Sequence, residues 1–254
     1  MVPLLWLALL KVDVVKSLIK VLALLTTIPF IASAHAQEPG DAWTLSLGGK
    51  LYDNHWLVIG KPAPAKRNPD YPADLKSLPV DTWRCVSCHG WDYSGKDGHL
   101  GQSRKPPIFA SLRPAAGKQL AALTKAMLAP GHQAYLAGLE KNSIDALARF
   151  ISAGQFNAGK LMPNGKSVGN ALAGKDIFEG ACISCHQADG KAFIEGEAGD
   201  RPALGWVAQN RPAQALHKII NGVPGADMLS LRFLPEQSRA DLLAYLQTLD
   251  DTVD

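Results

Sequence analysis

The chain has 254 residues, with 26 lysines and arginines against 23 aspartates and glutamates, a formal net charge of +3, 47% hydrophobic residues and four cysteines. So small a charge, without basic runs, argues against binding nucleic acid through its phosphates, and no motif for such binding occurs. The length suits one large or two small domains.

At the N-terminus, Lys11, Lys16 and Lys20 lead into an apolar run at 21–32, and Ala34-His35-Ala36 offers a small-x-small cleavage site before Gln37. This is the pattern of a secretory signal peptide, so residues 1–36 are expected to be removed and the mature protein to reside in the periplasm. A retained anchor is the rival reading, because 2–10 and 21–32 are both apolar. Neither run reaches the ~18 uninterrupted apolar residues of a spanning helix, and Lys11, Asp13, Lys16 and Lys20 separate them. The doubled apolar head also fits a translation start near Val14 or Val15. Without residues 1–36 the formal charge falls to about +1.

Next along the chain, residues 51–59 read as a helix. Pro62, Pro64, Pro69, Pro72 and Pro79 mark the following stretch, "KPAPAKRNPDYPADLKSLPVD", as a loop. It leads to "CVSCHGWDYSGKDG" at 85–98, and "CISCHQADGKAF" at 182–193 repeats the pattern. In Cys-x-x-Cys-His, one helical turn spaces two thiols for the two vinyl groups of a haem, and the adjoining imidazole reaches the iron. Cys85, Cys88 and His89 form one such set, and Cys182, Cys185 and His186 the other. A thioredoxin-like redox pair does not require His after both copies. A Cys₄ zinc site normally has closer pairs than the 93 residues between Cys88 and Cys182, and it leaves both histidines unexplained. Two covalent haem c groups are therefore expected.

The chain repeats itself around these motifs. His89 and His186 are 97 residues apart, and "SIDALARFISAG" from Ser143 aligns with "SRADLLAYLQTL" from Ser238 at an offset of 96. Apolar residues recur at helical spacing in both stretches. In the second unit, residues 171–181 read as a helix running into Cys182. Each unit thus reads as helix, haem motif, loop, helix, loop, helix, and the fold class is all-α. The expected divisions are a signal peptide at 1–36, a first domain at 37–165 carrying the Pro-rich insertion, and a second at 166–254.

"GKDIFEGACISCH", "INGVPGADM" and "DLLAYLQTL" resemble class I c-type cytochrome domains, and the whole chain resembles an exported dihaem cytochrome c made of two such domains in tandem. The resemblance covers residues 51–249. The first half departs from the family by its insertion and by Trp83, Trp91 and Tyr93. In such domains the iron takes its sixth ligand from the loop before the last helix, which points to Met228 in the second unit. Three residues compete in the first: Met127, His132 and Met162. An offset of 96 places His132 opposite Met228, and His89 to His132 spans 43 residues where His186 to Met228 spans 42. His132 is the expected ligand, with Met127 and Met162 as rivals. His217 is expected to pack or to meet a haem propionate, and His55 and His99 to lie at the surface or an edge. Trp83, Trp91 and Trp206 are expected against haem or in the core, and Arg104, Lys105, Arg201 and Arg211 are propionate candidates.

The resemblance implies an electron carrier exchanging with redox partner proteins, in transient association with membrane respiratory complexes. His/His ligation implies a lower potential for the first haem than His/Met gives the second. The alternatives are a peroxidase-like dihaem enzyme, which needs an open iron, and a haem subunit of a larger dehydrogenase.

Overall fold

A pair of adjacent glycines, Gly48 and Gly49, sets how the two halves of the chain meet. They lie inside helix α1, Pro39–Val58, in a computed structural model that describes residues 39–62, 64–103, 109–193 and 203–252. The expected signal peptide and Arg104, Lys105 and Arg201 lie outside the described residues, which belong to a single unit spanning 37–254. Among the described residues every regular element is a helix. The helix expected at 51–59 begins at Pro39, twelve residues earlier. Two poor helix formers side by side hid it from a propensity reading. A break at Asn54 (φ −157°) interrupts α1, and the Asn54 side chain accepts from Leu57 N–H, capping the short continuation.

The remaining helices are α2 (Cys85–His89), α3 (His99–Ser103), α4 (Leu120–Met127), α5 (Lys141–Arg149), α6 (Ala158–Leu161), α7 (Ala171–Ala181), α8 (Ile183–His186), α9 (Leu204–Asn210), α10 (Pro212–Asn221) and α11 (Glu236–Leu246). A π-helical turn, Phe150–Gly154, extends α5. Among its described residues the Pro-rich stretch carries no helix until a 3₁₀ turn at Pro79–Trp83.

α1 packs on α5, and α7 packs on α11. Both crossings are made at a glycine. A Cβ on Gly48 would lie 2.2 Å from the Ala146 carbonyl oxygen, and one on Gly174 would lie 1.9 Å from that of Asp241. One turn further on, each pair buries an aromatic: Tyr52 against Phe150 at 5.5 Å, and Phe178 against Tyr245 at 5.3 Å. Burying a ring of this size contributes about 2–3 kcal/mol. Gly49 faces the other way, where a Cβ would strike the Asn221 side chain at the end of α10. The glycine pair thus lets α1 approach α5 and α10 at once.

The contact between α1 and α10 is polar as well as close. Asp53, its side chain 2% exposed, pairs with Arg84 at 2.5 Å and with Lys218 at 2.9 Å. Burial pushes its carboxyl up, but Lys218 and Arg84 together outweigh that and leave it below the ordinary carboxylate range. Next to this group, His217 is fully buried among Tyr52, Tyr93, Phe150 and Trp91.

Candidate haem sites

The first motif is entered through Arg84, whose Nε donates to the Asp53 carbonyl at 2.8 Å and so returns the chain to α1. α2 then presents Cys85, Cys88 and His89, and Gly90 ends it with φ +76°. His89 Nδ1 lies 2.8 Å from the Ala110 carbonyl oxygen. A carbonyl only accepts, so Nδ1 carries the hydrogen and Nε2 keeps its lone pair for a metal. Opposite His89 stands His132, with ring centroids 6.2 Å apart and planes within 10° of each other. It is exposed and follows Gly131, whose φ is +88°. Tyr135, one turn on, brings its hydroxyl within 3.9 Å of Cys88 Sγ and packs on Trp83.

The second motif repeats this local geometry. Cys182 closes α7, α8 carries Cys185 and His186, and Gln187 leaves with φ +60° and ψ 172°, close to the +76° and 162° of Gly90. Phe193, half exposed, meets His186 edge-on at 5.2 Å. Met228 is partly buried in the loop between α10 and α11.

None of the four cysteines is joined in a disulfide. Burial, reinforced by Cys88, pushes the Cys85 thiol up to about 12, and burial likewise raises Cys182. These are not the acidic thiols of a redox-active pair. Among the described residues no three His, Cys, Asp or Glu side chains are grouped to hold a metal ion, which disfavours a Cys₄ zinc site.

Residues 171–250 match the cytochrome c family. A cytochrome c from Tetrahymena pyriformis is 31% identical over 104 residues, an alignment covering 32% of this chain and 90% of that protein. The chain belongs to the cytochrome c family. No solved structure matches it. The cytochrome c domain at 171–250 implies covalently bound haem c and electron transfer with redox partner proteins.

The residues fit such a group. Each motif carries two thiols not joined in a disulfide, and the Ala110 carbonyl at His89 Nδ1 leaves His89 Nε2 available. At the first motif, His89 and His132, with parallel rings whose centroids are 6.2 Å apart, are the imidazole pair that would hold its iron.

Elsewhere in this cytochrome c the other candidates have different places. Met162 is 5% exposed in the core, and Met127 packs against the core from the end of α4. His99 is exposed. His55, expected at the surface or an edge, is instead 1% exposed, with neither ring nitrogen hydrogen-bonded. The insertion buries it: Trp83 packs on neighbouring Trp56 and donates from Nε1 to the Lys66 carbonyl at 2.8 Å, folding the Pro-rich stretch over the end of α1. His217 packs, as expected, but against the first half: Nε2 faces the Gly49 carbonyl at 3.0 Å and Nδ1 the Tyr93 hydroxyl at 2.8 Å. Trp91 meets His217 at 5.2 Å, with Arg84 and Lys218 over its ring. Arg211 lies over Trp206. Sequence reasoning missed Asp53, Asn221 and Arg232, which join the halves. The one local signal was the polar pair Asp53 and Asn221 within helices that otherwise bury apolar residues; Arg232, in the loop before α11, carried none.

Proposed function

We propose that the protein is an exported dihaem cytochrome c, two class I domains in tandem, that relays electrons in the periplasm. The first haem would be held by Cys85 and Cys88 with His89 and His132 on its iron, and the second by Cys182 and Cys185 with His186 and Met228. The observation that carries a second haem is the parallel His89–His132 pair beside a complete thiol set, with Ala110 fixing the His89 tautomer. The recurrence of the glycine crossings and of the turn after each motif histidine supports two equivalent units.

When bound, each haem supplies one-electron exchange at its iron. The chain's own residues determine what else happens. Ala110 orients His89, and the turn at Gly131 leads the chain into His132, whose ring lies parallel to that of His89. Tyr135 brings its hydroxyl to Cys88 Sγ and is backed by Trp83. With His89 and His132 held to one iron and His186 and Met228 to the other, neither metal would be left open to a substrate, which favours a relay over catalysis. Export rests on the leader-like residues 1–36, and the partners are donor and acceptor proteins, including transiently docked membrane respiratory complexes.

Intact-mass analysis of periplasmic material tests this reading. A chain starting at Gln37 with two haems is expected, and Cys85→Ala with Cys88→Ala should carry one. A wild-type mass corresponding to one haem would remove the first site. Rapid carbon monoxide binding by the reduced protein, with peroxide turnover, would replace the relay with an enzyme.

A further inference from the structure

Met228 sits within residues 222–235, which join α10 to α11. Ordering a loop of this length around one side chain costs conformational entropy at every residue, so what holds it matters. Much of the hold comes from the first half of the chain. Gly222 turns with φ +80°, and a Cβ there would lie 2.6 Å from the Met228 carbonyl oxygen and 2.8 Å from Lys50 Cε of α1. The backbone of Met228 therefore folds back onto the end of α10, beside α1. Gly225 lies against Leu57, also of α1, with its Cβ position 3.3 Å from Leu57 Cβ.

Beyond Met228 the loop is tied again. Ser230 Oγ donates to the Ile220 carbonyl at 2.7 Å, and Leu231 N–H to that of Ile219 at 3.0 Å. Arg232 then reaches across the halves. Its Nη2 donates to Asn221 Oδ1 and, at 3.1 Å, to the carbonyl of Gly154 in the π-helical turn. The Asn221 carbonyl accepts from Ser46 Oγ of α1 at 2.7 Å. Arg232 is 8% exposed, and among the described residues no carboxylate pairs with it. A buried cation without an anion is costly, and an apolar side chain would fill the space more cheaply. What the guanidinium adds is direction: it fixes the loop four residues past Met228 to two elements at once.

We propose that Arg232 and Asn221, braced by Ser46 and Gly154, are positioning residues that hold Met228 for the second iron, so that the first half of the chain sets the ligation of the second haem. This rests on the reading of Met228 as a ligand.

The test uses the full-length ferric protein and two readouts: the sulfur-to-iron charge-transfer band and the affinity of added imidazole for the second iron. Arg232→Ala and Asn221→Ala should lose most of the band and bind imidazole about tenfold more tightly, the scale of effect expected for residues that orient a ligand. Arg232→Lys, which keeps a donor for Asn221, should recover part of the band. Ser46→Ala removes only the brace and should give a smaller loss in the same direction, which keeps the test open if Arg232→Ala does not fold. Leu243→Ala weakens the same core from α11 without removing any polar tie of the loop and should leave most of the band in the folded protein. A wild-type protein lacking the band would remove the ligand reading, and the clamp with it. A wild-type band that persists in Arg232→Ala and Asn221→Ala, or in Ser46→Ala if those do not fold, or that falls equally in Leu243→Ala, would overturn the clamp alone.

Discussion

The residue after each motif histidine takes the same backbone turn, but only the first copy has glycine there. Gln187 holds φ +60° and ψ 172°, a region that costs a residue with a Cβ on the order of 1–3 kcal/mol. Gln187→Gly should therefore raise stability by about 1 kcal/mol, less than the full strain because glycine also loosens the unfolded chain. A rise in the urea midpoint at unchanged slope would show it, and a fall would mean the Gln187 side chain makes a contact worth more than the strain. His217 gives a second residue-scale expectation. Its Nε2–H donates to the Gly49 carbonyl and its Nδ1 accepts from Tyr93, so the fold requires the neutral ring; burial takes it down to about 4. The unfolded ring titrates near 6.5. Between those values the unfolded chain binds the extra proton, so this contribution is complete above about pH 6.5 and fades as pH falls toward 4, by about 3 kcal/mol in all. Compared with wild type, His217→Gln should lose roughly one proton's worth of slope in a plot of unfolding free energy against pH over that window. Equal slopes would show that His217 is not what titrates.

At the scale of elements, the two helix crossings show what one glycine does and another does not. Gly174 has the Asp241 carbonyl 1.9 Å from its Cβ position, whereas Gly180, in the same helix, has nothing within 4 Å. Gly174→Ala should push α7 off α11 and cost about 1–3 kcal/mol or more. Gly180→Ala should gain about 0.5–1 kcal/mol from helix propensity alone. Opposite shifts in thermal midpoint are the expected outcome, and shifts of one sign would break the packing argument. The same contrast explains what was legible in the sequence. Residues 171–181 were readable as a helix running straight into Cys182, and in the structure Asn170 caps it. α1 was cut short because Gly48 and Gly49 look like a break when seen alone; only the approach of Ala146 from one side and Asn221 from the other makes them a packing surface. The Cys-x-x-Cys-His sets were readable because thiol and imidazole spacing is local. The expectation for His132 came from the repeat.

At the scale of the molecule, what joins the halves was not legible, because its partners are far apart in sequence: Asp53 with Lys218, Tyr93 with His217, Ser46 with Asn221. Each is an ordinary polar residue until the fold brings its partner to it. Asp53 is the centre of this set. Its two oxygens are divided between Arg84, which leads into the first motif, and Lys218 on α10, and both cations also lie over the ring of Trp91. One buried carboxylate therefore balances two partly buried cations from opposite halves, and removing it takes the ion pair from Lys218 and leaves Arg84 with only the more exposed Asp81. Breaking such a pair from one side costs about 3–5 kcal/mol, more than the intact pair contributes. Asp53→Asn keeps the size and removes the charge, so it should lower stability by that order at pH 7. The depressed carboxyl also gives the cost a pH signature. Its contribution is present above the unfolded carboxylate range near pH 4 and is lost as pH falls through the lower folded value, so wild type and Asp53→Asn should converge in strong acid. Restoring the balance by Asp53→Asn with Lys218→Met should recover much of the loss at neutral pH. Urea titrations at neutral and acid pH would decide it. If the single variant is as stable as wild type at pH 7, the two halves are held by the apolar contacts around Tyr52, Phe150 and His217, and the buried charges are bystanders.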